Sequence, residues 1–185
     1  MSIETLLCPA DEAGVARAAA LLRQGEIIAL PTETVYGIAA DARNGSAVKK
    51  IFAAKGRPQD NPLIVHIDDI NMLPGLVSEF PERAQLLAAA FWPGPLTIIM
   101  PRGPEVADEC CAGLDTVGIR MPSHPVVRQV IEASGCAFAA PSANLSGKPS
   151  PTTAQDVWTD MQGRLPLILD GGPCAVGVES TVVSV

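Results

Sequence analysis

The stretch EIIALPTETVYG, residues 26–37, decides how the chain is read, because a short apolar run stops at a proline and opens at once into a polar turn. Glu26 to Leu30 is short and almost wholly apolar, so it is predicted as a buried strand. Pro31 ends it, and Thr32, Glu33, Thr34 and Tyr36 then fall between that Pro and Gly37. In α/β folds the end of a buried strand is where ligand groups collect. Threonine hydroxyls both donate and accept, which suits a small polar ligand. An ordinary turn with a helix cap explains the same residues equally well.

Working outward, residues 11–24 carry Val15, Ala18, Leu21 and Leu22 at helical spacing, and Gly25 ends that helix. Residues 45–55 are predicted as a second helix, with Ser46 as candidate cap and Val48, Ile51 and Phe52 facing inward. Residues 80–91 and 125–133 read as helices, as do residues 152–161, with Thr152 or Thr153 as cap. Strands are expected at 63–67, 96–100, 116–121, 137–140, 167–170 and 181–185. Strands alternate with helices in places and follow one another directly elsewhere. That pattern predicts one α/β or α+β domain over residues 1–185, a twisted mixed sheet flanked by helices.

The bulk composition sets limits. Of 185 residues, 48% are hydrophobic and 18% charged, enough for a packed core and against disorder. A net charge of −7 disfavours general coating of nucleic acid, while leaving room for a local basic patch. Five irregularly spaced cysteines, no CxxC pair and two histidines argue against a zinc site and for reduced thiols in a cytoplasmic protein. No signal peptide is read at the N-terminus and no apolar run approaches a membrane span, so no membrane partner is expected. The last strand runs to Val185 without a polar tail, and the pattern is expected to continue beyond it.

Further constellations carry chemistry. Lys55, Gly56 and Arg57 stand at a helix end, followed by Asn61 and a strand reaching His66. Two cations there complement the helix dipole; they would equally bind phosphate, Arg as a planar fork and Lys as a point charge. No Walker A or dinucleotide-binding fingerprint occurs. Residues 139–150, AAPSANLSGKPS, form a loop of small and hydroxyl residues that could turn backbone N–H groups toward an anion. Arg120 lies in an apolar strand, and a buried charge needs either a salt-bridge partner or a ligand carboxylate. Neither a nucleophile elbow nor a carboxylate pair is visible. Cations, hydroxyls and backbone donors remain, a set suited to phosphoryl or nucleotidyl transfer.

Taken in order, PTETVYGIAADA, KGRPQDNPLIVHI, FWPGPLTIIM, VGIRMPSHPV, APSANLSGKPSPT and VESTVVSV resemble the YrdC-type threonylcarbamoyl-AMP synthases from about residue 15 to Val185. The resemblance implies a YrdC-like fold with a large concave basic cavity. It implies a nucleotidyltransferase that takes L-threonine, bicarbonate or CO₂, and ATP with magnesium, and makes L-threonylcarbamoyl-AMP and pyrophosphate. A downstream tRNA threonylcarbamoyl-transferase complex would take the product for tRNA modification. By the same resemblance Thr34, His66, Arg120, Ala140 and Ser180 would contact L-threonine. Lys55, Arg57, Asn61, Thr116, Ser142, Asn144 and Ser150 would contact ATP, with Lys55 and Arg57 catalytic and no protein metal ligand identified. Family members continue past the final strand into an Arg-Pro-Gly turn, and this sequence stops at Val185, before such a turn.

Two rival readings stand beside it. A concave basic surface could hold RNA directly, as a binding module; the net charge and the few aromatics weigh against this. A carbamoyl-transferring domain of hydrogenase-maturation type shares the fold, although no acylphosphatase-like or zinc-finger region is read within these 185 residues.

Overall fold

The computed structural model describes residues 3–56, 58 and 61–185. The chain runs β1 (Leu6–Pro9), α1 (Glu12–Arg23), β2 (Ile28–Pro31), β3 (Tyr36–Asp41), α2 (Gly45–Lys55) and β4 (Ile64–His66). After a 3-10 turn at Ile70–Met72 come α3 (Glu82–Phe91), β5 (Leu96–Pro101), α4 (Asp108–Cys111), β6 (Thr116–Arg120) and α5 (Pro125–Ser134). The chain closes with β7 (Phe138–Ala139), α6 (Ala154–Met161), β8 (Leu167–Asp170) and β9 (Thr181–Ser184). None of these helices is long and apolar enough to cross a membrane.

The described strands form one nine-stranded sheet in the order β1-β8-β2-β3-β7-β4-β6-β5-β9. Directions are mixed, as expected: β2 and β3 are an antiparallel hairpin, whereas β4 pairs parallel with β6 and β5 with β9. On one face α1 and α5 pack Val15, Ala18, Leu22, Val127 and Ile131 against Ile28, Leu30, Phe138 and Leu167. The other face carries the larger core, where Ile51, Phe52 and Val157 meet Ile38, Val65, Ile98 and Ile119. The first face changes character beyond β7. His66 lies opposite Phe138, Arg120 pairs with His66, and Thr97 pairs with Arg120. Cross-strand partners point to the same side of a sheet. The face that is greasy under α5 thus continues as imidazole, guanidinium and hydroxyl.

Local chemistry explains the helix ends. Asp11 caps α1 by accepting from the Gly14 amide at 2.8 Å, and Thr153 caps α6 in a reciprocal box with Asp156. For α2 the cap is Asn44, whose side chain accepts from the Ala47 amide at 3.1 Å. The predicted cap, Ser46, is corrected: it already lies inside the helix, and only the extended residue before Gly45 can turn its side chain back. Gly56 ends α2 at φ +61°, a left-handed conformation that glycine tolerates without strain.

Three elements escape the sequence pattern. β3 is buried at five of its six positions and rich in Gly and Ala, so it shows no alternation. β1 and α4 have only four residues each, too few to display a period.

Candidate functional site

The hairpin turn between β2 and β3 is organised by one hydroxyl. Thr32 Oγ1 donates to the Val35 carbonyl at 2.7 Å and accepts from the amides of Thr34 and Val35, each at 3.2 Å. That donation uses its single hydrogen. The 2.9 Å contact between the Thr32 and Thr34 hydroxyls must therefore run from Thr34 to Thr32. Arg120 Nη1 donates to Thr34 Oγ1 at 3.0 Å. The Thr34 hydroxyl, its proton committed and one lone pair taken, can offer a ligand only an acceptor.

Arg120 reaches this turn from β6. Its Nη2 lies 2.6 Å from Glu33 Oε1, and its Nε points at the Gly94 carbonyl at 3.4 Å. Between a structural ion pair and a ligand carboxylate as the partner of this buried arginine, the described contacts supply the ion pair, with Glu33. They leave one hydrogen on each Nη without a partner among the described residues. His66, one strand away, is almost fully buried. Burial, then the charge of Arg120, pushes its pKa down to about 3, so the imidazole is neutral near pH 7. Its Nδ1 is buried with no hydrogen-bond partner.

The loop after β7 closes the site. The Ile38 amide donates to the Pro141 carbonyl and the Ala143 amide to the Tyr36 carbonyl, at 2.9 and 2.8 Å. This zips the loop to β3. Ser180, just before β9, shares a 2.9 Å hydroxyl contact with Thr97, which is fully buried. Ser150 donates to Glu179, and that bond holds the Glu179 carboxyl below its ordinary range.

These pieces enclose a cavity of about 200 Å³. All the residues expected to contact an amino acid line it: Thr34, His66, Arg120, Ala140 and Ser180. The volume is below the roughly 300–1,000 Å³ of sites that take drug-sized ligands. It suits a small metabolite or one end of a larger one. Among the described lining residues, Arg120 and Glu179 carry charge, so the wall is of mixed sign.

The residues expected to contact a nucleotide are more dispersed. Ser142 lines the cavity, and Asn61 is exposed beside Pro62, which also lines it. Thr116 shares the face of β6 with Arg120 but lies about 13 Å along the strand, at roughly 3.3 Å per residue. Ser150 sits at the rim through its bond to Glu179. Lys55 is buried behind the loop, where its ammonium donates to the carbonyls of Ser142 and Asn144, the latter at 2.8 Å. Asn144 is held in turn, its amide donating to the Leu145 and Lys148 carbonyls at 2.9 and 2.8 Å. Arg57 lies outside the described residues.

Sequence reasoning missed three contributors. Glu33 has no local mark of its role, because its partner stands 87 positions away. Glu179, in the segment before the last strand, lines the cavity. Thr97 left a usable signal, a lone hydroxyl inside the apolar strand LTIIM.

The Sua5_yciO_yrdC family model, described as "Telomere recombination", matches residues 20–185. A Bacillus subtilis protein named threonylcarbamoyl-AMP synthase is 58% identical over 92% of this chain and 49% of its own length. A Pyrococcus abyssi protein of the same name is 52% identical over 90% of this chain and 49% of its own. The crystal structure of P. abyssi Sua5 complexed with L-threonine superposes with a TM-score of 0.93 at 48% identity, covering 100% of this chain and 54% of that one. The chain thus spans about half the length of the curated relatives it matches.

Proposed function

The chain belongs to the Sua5/YciO/YrdC family, and from that premise we propose that it makes L-threonylcarbamoyl-AMP and pyrophosphate from L-threonine, bicarbonate or CO₂, and ATP. The product would serve the threonylcarbamoyladenosine modification of tRNA, through a separate transferase complex. The observation that carries the reading is the meeting of Thr34, His66, Arg120, Ala140 and Ser180 in one small cavity, in a chain so similar to a protein crystallised with L-threonine.

The chemistry follows from the donors present. The amino acid's carboxylate takes the spare N–H groups of Arg120. The Thr34 hydroxyl, an acceptor only, faces a donor of the ligand, its amine or its hydroxyl. Neutral His66 adds no charge that would repel an ammonium. The free amine condenses with bicarbonate to a carbamate, releasing water. A carbamate oxygen then attacks the α-phosphorus of ATP, and the bond to the pyrophosphate leaving group breaks. Ser142, Asn144, Ser150, Asn61 and Thr116 would flank the nucleotide, and Arg57 would meet its phosphates. Lys55 contributes from behind, by fixing the Ser142–Asn144 loop. Magnesium would enter with ATP and neutralise phosphate charge. No cluster of His, Cys, Asp or Glu among the described residues could hold a metal by itself. The residues present fit a cation held mainly by phosphate oxygens and water, with Glu179 the carboxylate among the described wall residues.

Mass spectrometry of the product formed from ATP, L-threonine and bicarbonate tests the proposal. Threonylcarbamoyl-AMP with one pyrophosphate per turnover is expected, and Arg57→Ala should cut it by orders of magnitude. Failure to form that adduct, with salt-dependent RNA binding instead, would favour the binding module.

A further inference from the structure

Glu33 is absent from the described cavity wall, yet its Oε1 sits 2.6 Å from Arg120 Nη2, with side-chain exposures of 10% and 4%. The turn that carries it is pinned at both ends. Thr32 knots the turn from within, and the Glu33 carbonyl accepts from the Val176 amide at 2.9 Å. Glu33 Oε2 is buried without a hydrogen-bond partner, so the described contact holding this carboxylate is its ion pair. On the other side, the Arg120 guanidinium is fixed at Nη2 by Glu33, at Nη1 by Thr34 and at Nε by Gly94. A desolvated guanidinium without a counter-charge would be costly, and free to turn toward any acceptor.

We propose that Glu33 is a positioning residue for the amino-acid substrate: from behind the wall it neutralises and orients Arg120, so that the second hydrogens on Nη1 and Nη2 converge on the substrate carboxylate. This rests on the reading that the cavity takes L-threonine. It fixes the sign of a substitution. Were Glu33 only a competitor for Arg120, removing its charge would leave a bare buried cation and tighten the binding of a carboxylate. A positioning role requires the opposite, because the fork loses its aim.

Calorimetric titration with L-threonine and with ATP tests this on the wild type, Glu33→Gln, Arg120→Gln and the double variant. Glu33→Gln should weaken L-threonine by roughly ten- to a hundredfold, the range carried by one hydrogen bond to a charged group. ATP affinity should stay within about twofold, as for an uncoupled site. The double variant should bind L-threonine as Arg120→Gln does, since Glu33 acts through Arg120. Unchanged or tighter L-threonine binding by Glu33→Gln, equal losses for both ligands, or additive losses in the double variant would overturn the role. Should Glu33→Gln fail to fold, the double variant, which buries two amides and no lone cation, decides by the same comparison with Arg120→Gln. A wild type that does not bind L-threonine refutes the reading of the cavity, and this inference with it. A wild type that binds, beside an unaffected Glu33→Gln, refutes the role of Glu33 alone.

Discussion

The Lys55 ammonium, in the last turn of α2, donates to the Asn144 carbonyl at 2.8 Å across 89 residues of sequence. It also donates to the Ser142 carbonyl. The lysine is 3% exposed, so a helix end and a ligand-flanking loop share one buried cation. Replacing it with Met keeps the length and removes the donors. Lys55→Met should lose about 2–6 kcal/mol of stability, since each of the two carbonyls left unpaired costs roughly 1–3 kcal/mol. Urea denaturation measures the loss, and ATP affinity should fall with it. A variant as stable as the wild type would mean that the loop holds its shape without Lys55.

His66 makes the fold sensitive to acid. Its folded pKa of about 3 lies below the ordinary 6.5, because burial and Arg120 disfavour the imidazolium. Between those values the unfolded chain binds a proton that the folded chain refuses. The stability tied to His66 is therefore complete above pH 6.5 and is lost as pH falls toward 3. The melting temperature of the wild type should drop over that window, and that of His66→Gln should drop less. Parallel curves would show that other groups set the acid response.

Thr34 offers a test of the amino-acid pocket. Thr34→Val is nearly isosteric, but it strips the acceptor from Arg120 Nη1 and the donor to Thr32. Leaving a buried N–H unpaired costs about 1–3 kcal/mol, to be read as a fall in melting temperature. The KM for L-threonine should rise well beyond any change for ATP. An equal rise for both would place Thr34 outside the amino-acid pocket.

The thiols should react by burial. Cys110, Cys111 and Cys136 are buried, while Cys8 and Cys174 are half-buried. Desolvation pushes Cys110 up to about 12 and Cys174 up to about 11, so little thiolate forms at neutral pH. Iodoacetamide at pH 8 should label Cys8 first in the native protein, and all five cysteines only after denaturation. Peptide mass mapping distinguishes the sites. Early labelling of Cys110 would show that the region around α4 opens readily.

Much of the architecture is a local property, and the chain spells it out. Residues 167–170 form a strand where their apolar run predicts one, and α1 and α5 end within a residue or two of their apolar period. In the site, the family resemblance of the ordered motifs pointed to Thr34, His66, Arg120, Ala140 and Ser180, which line one cavity. Other features have no local signature. β3 is a strand because its small residues are sandwiched between two packed layers, a fact about neighbours and not about period. The sequence by itself determined the element pattern, since hydrophobic period, capping and turn chemistry act over a few residues, and its resemblance to a family marked the residues worth watching. Only the tertiary structure decided that Arg120 is already paired with Glu33 and that Lys55 braces the loop behind the cavity. A buried charge must find its counter-charge or acceptors wherever the fold brings them, and here that is more than eighty residues away.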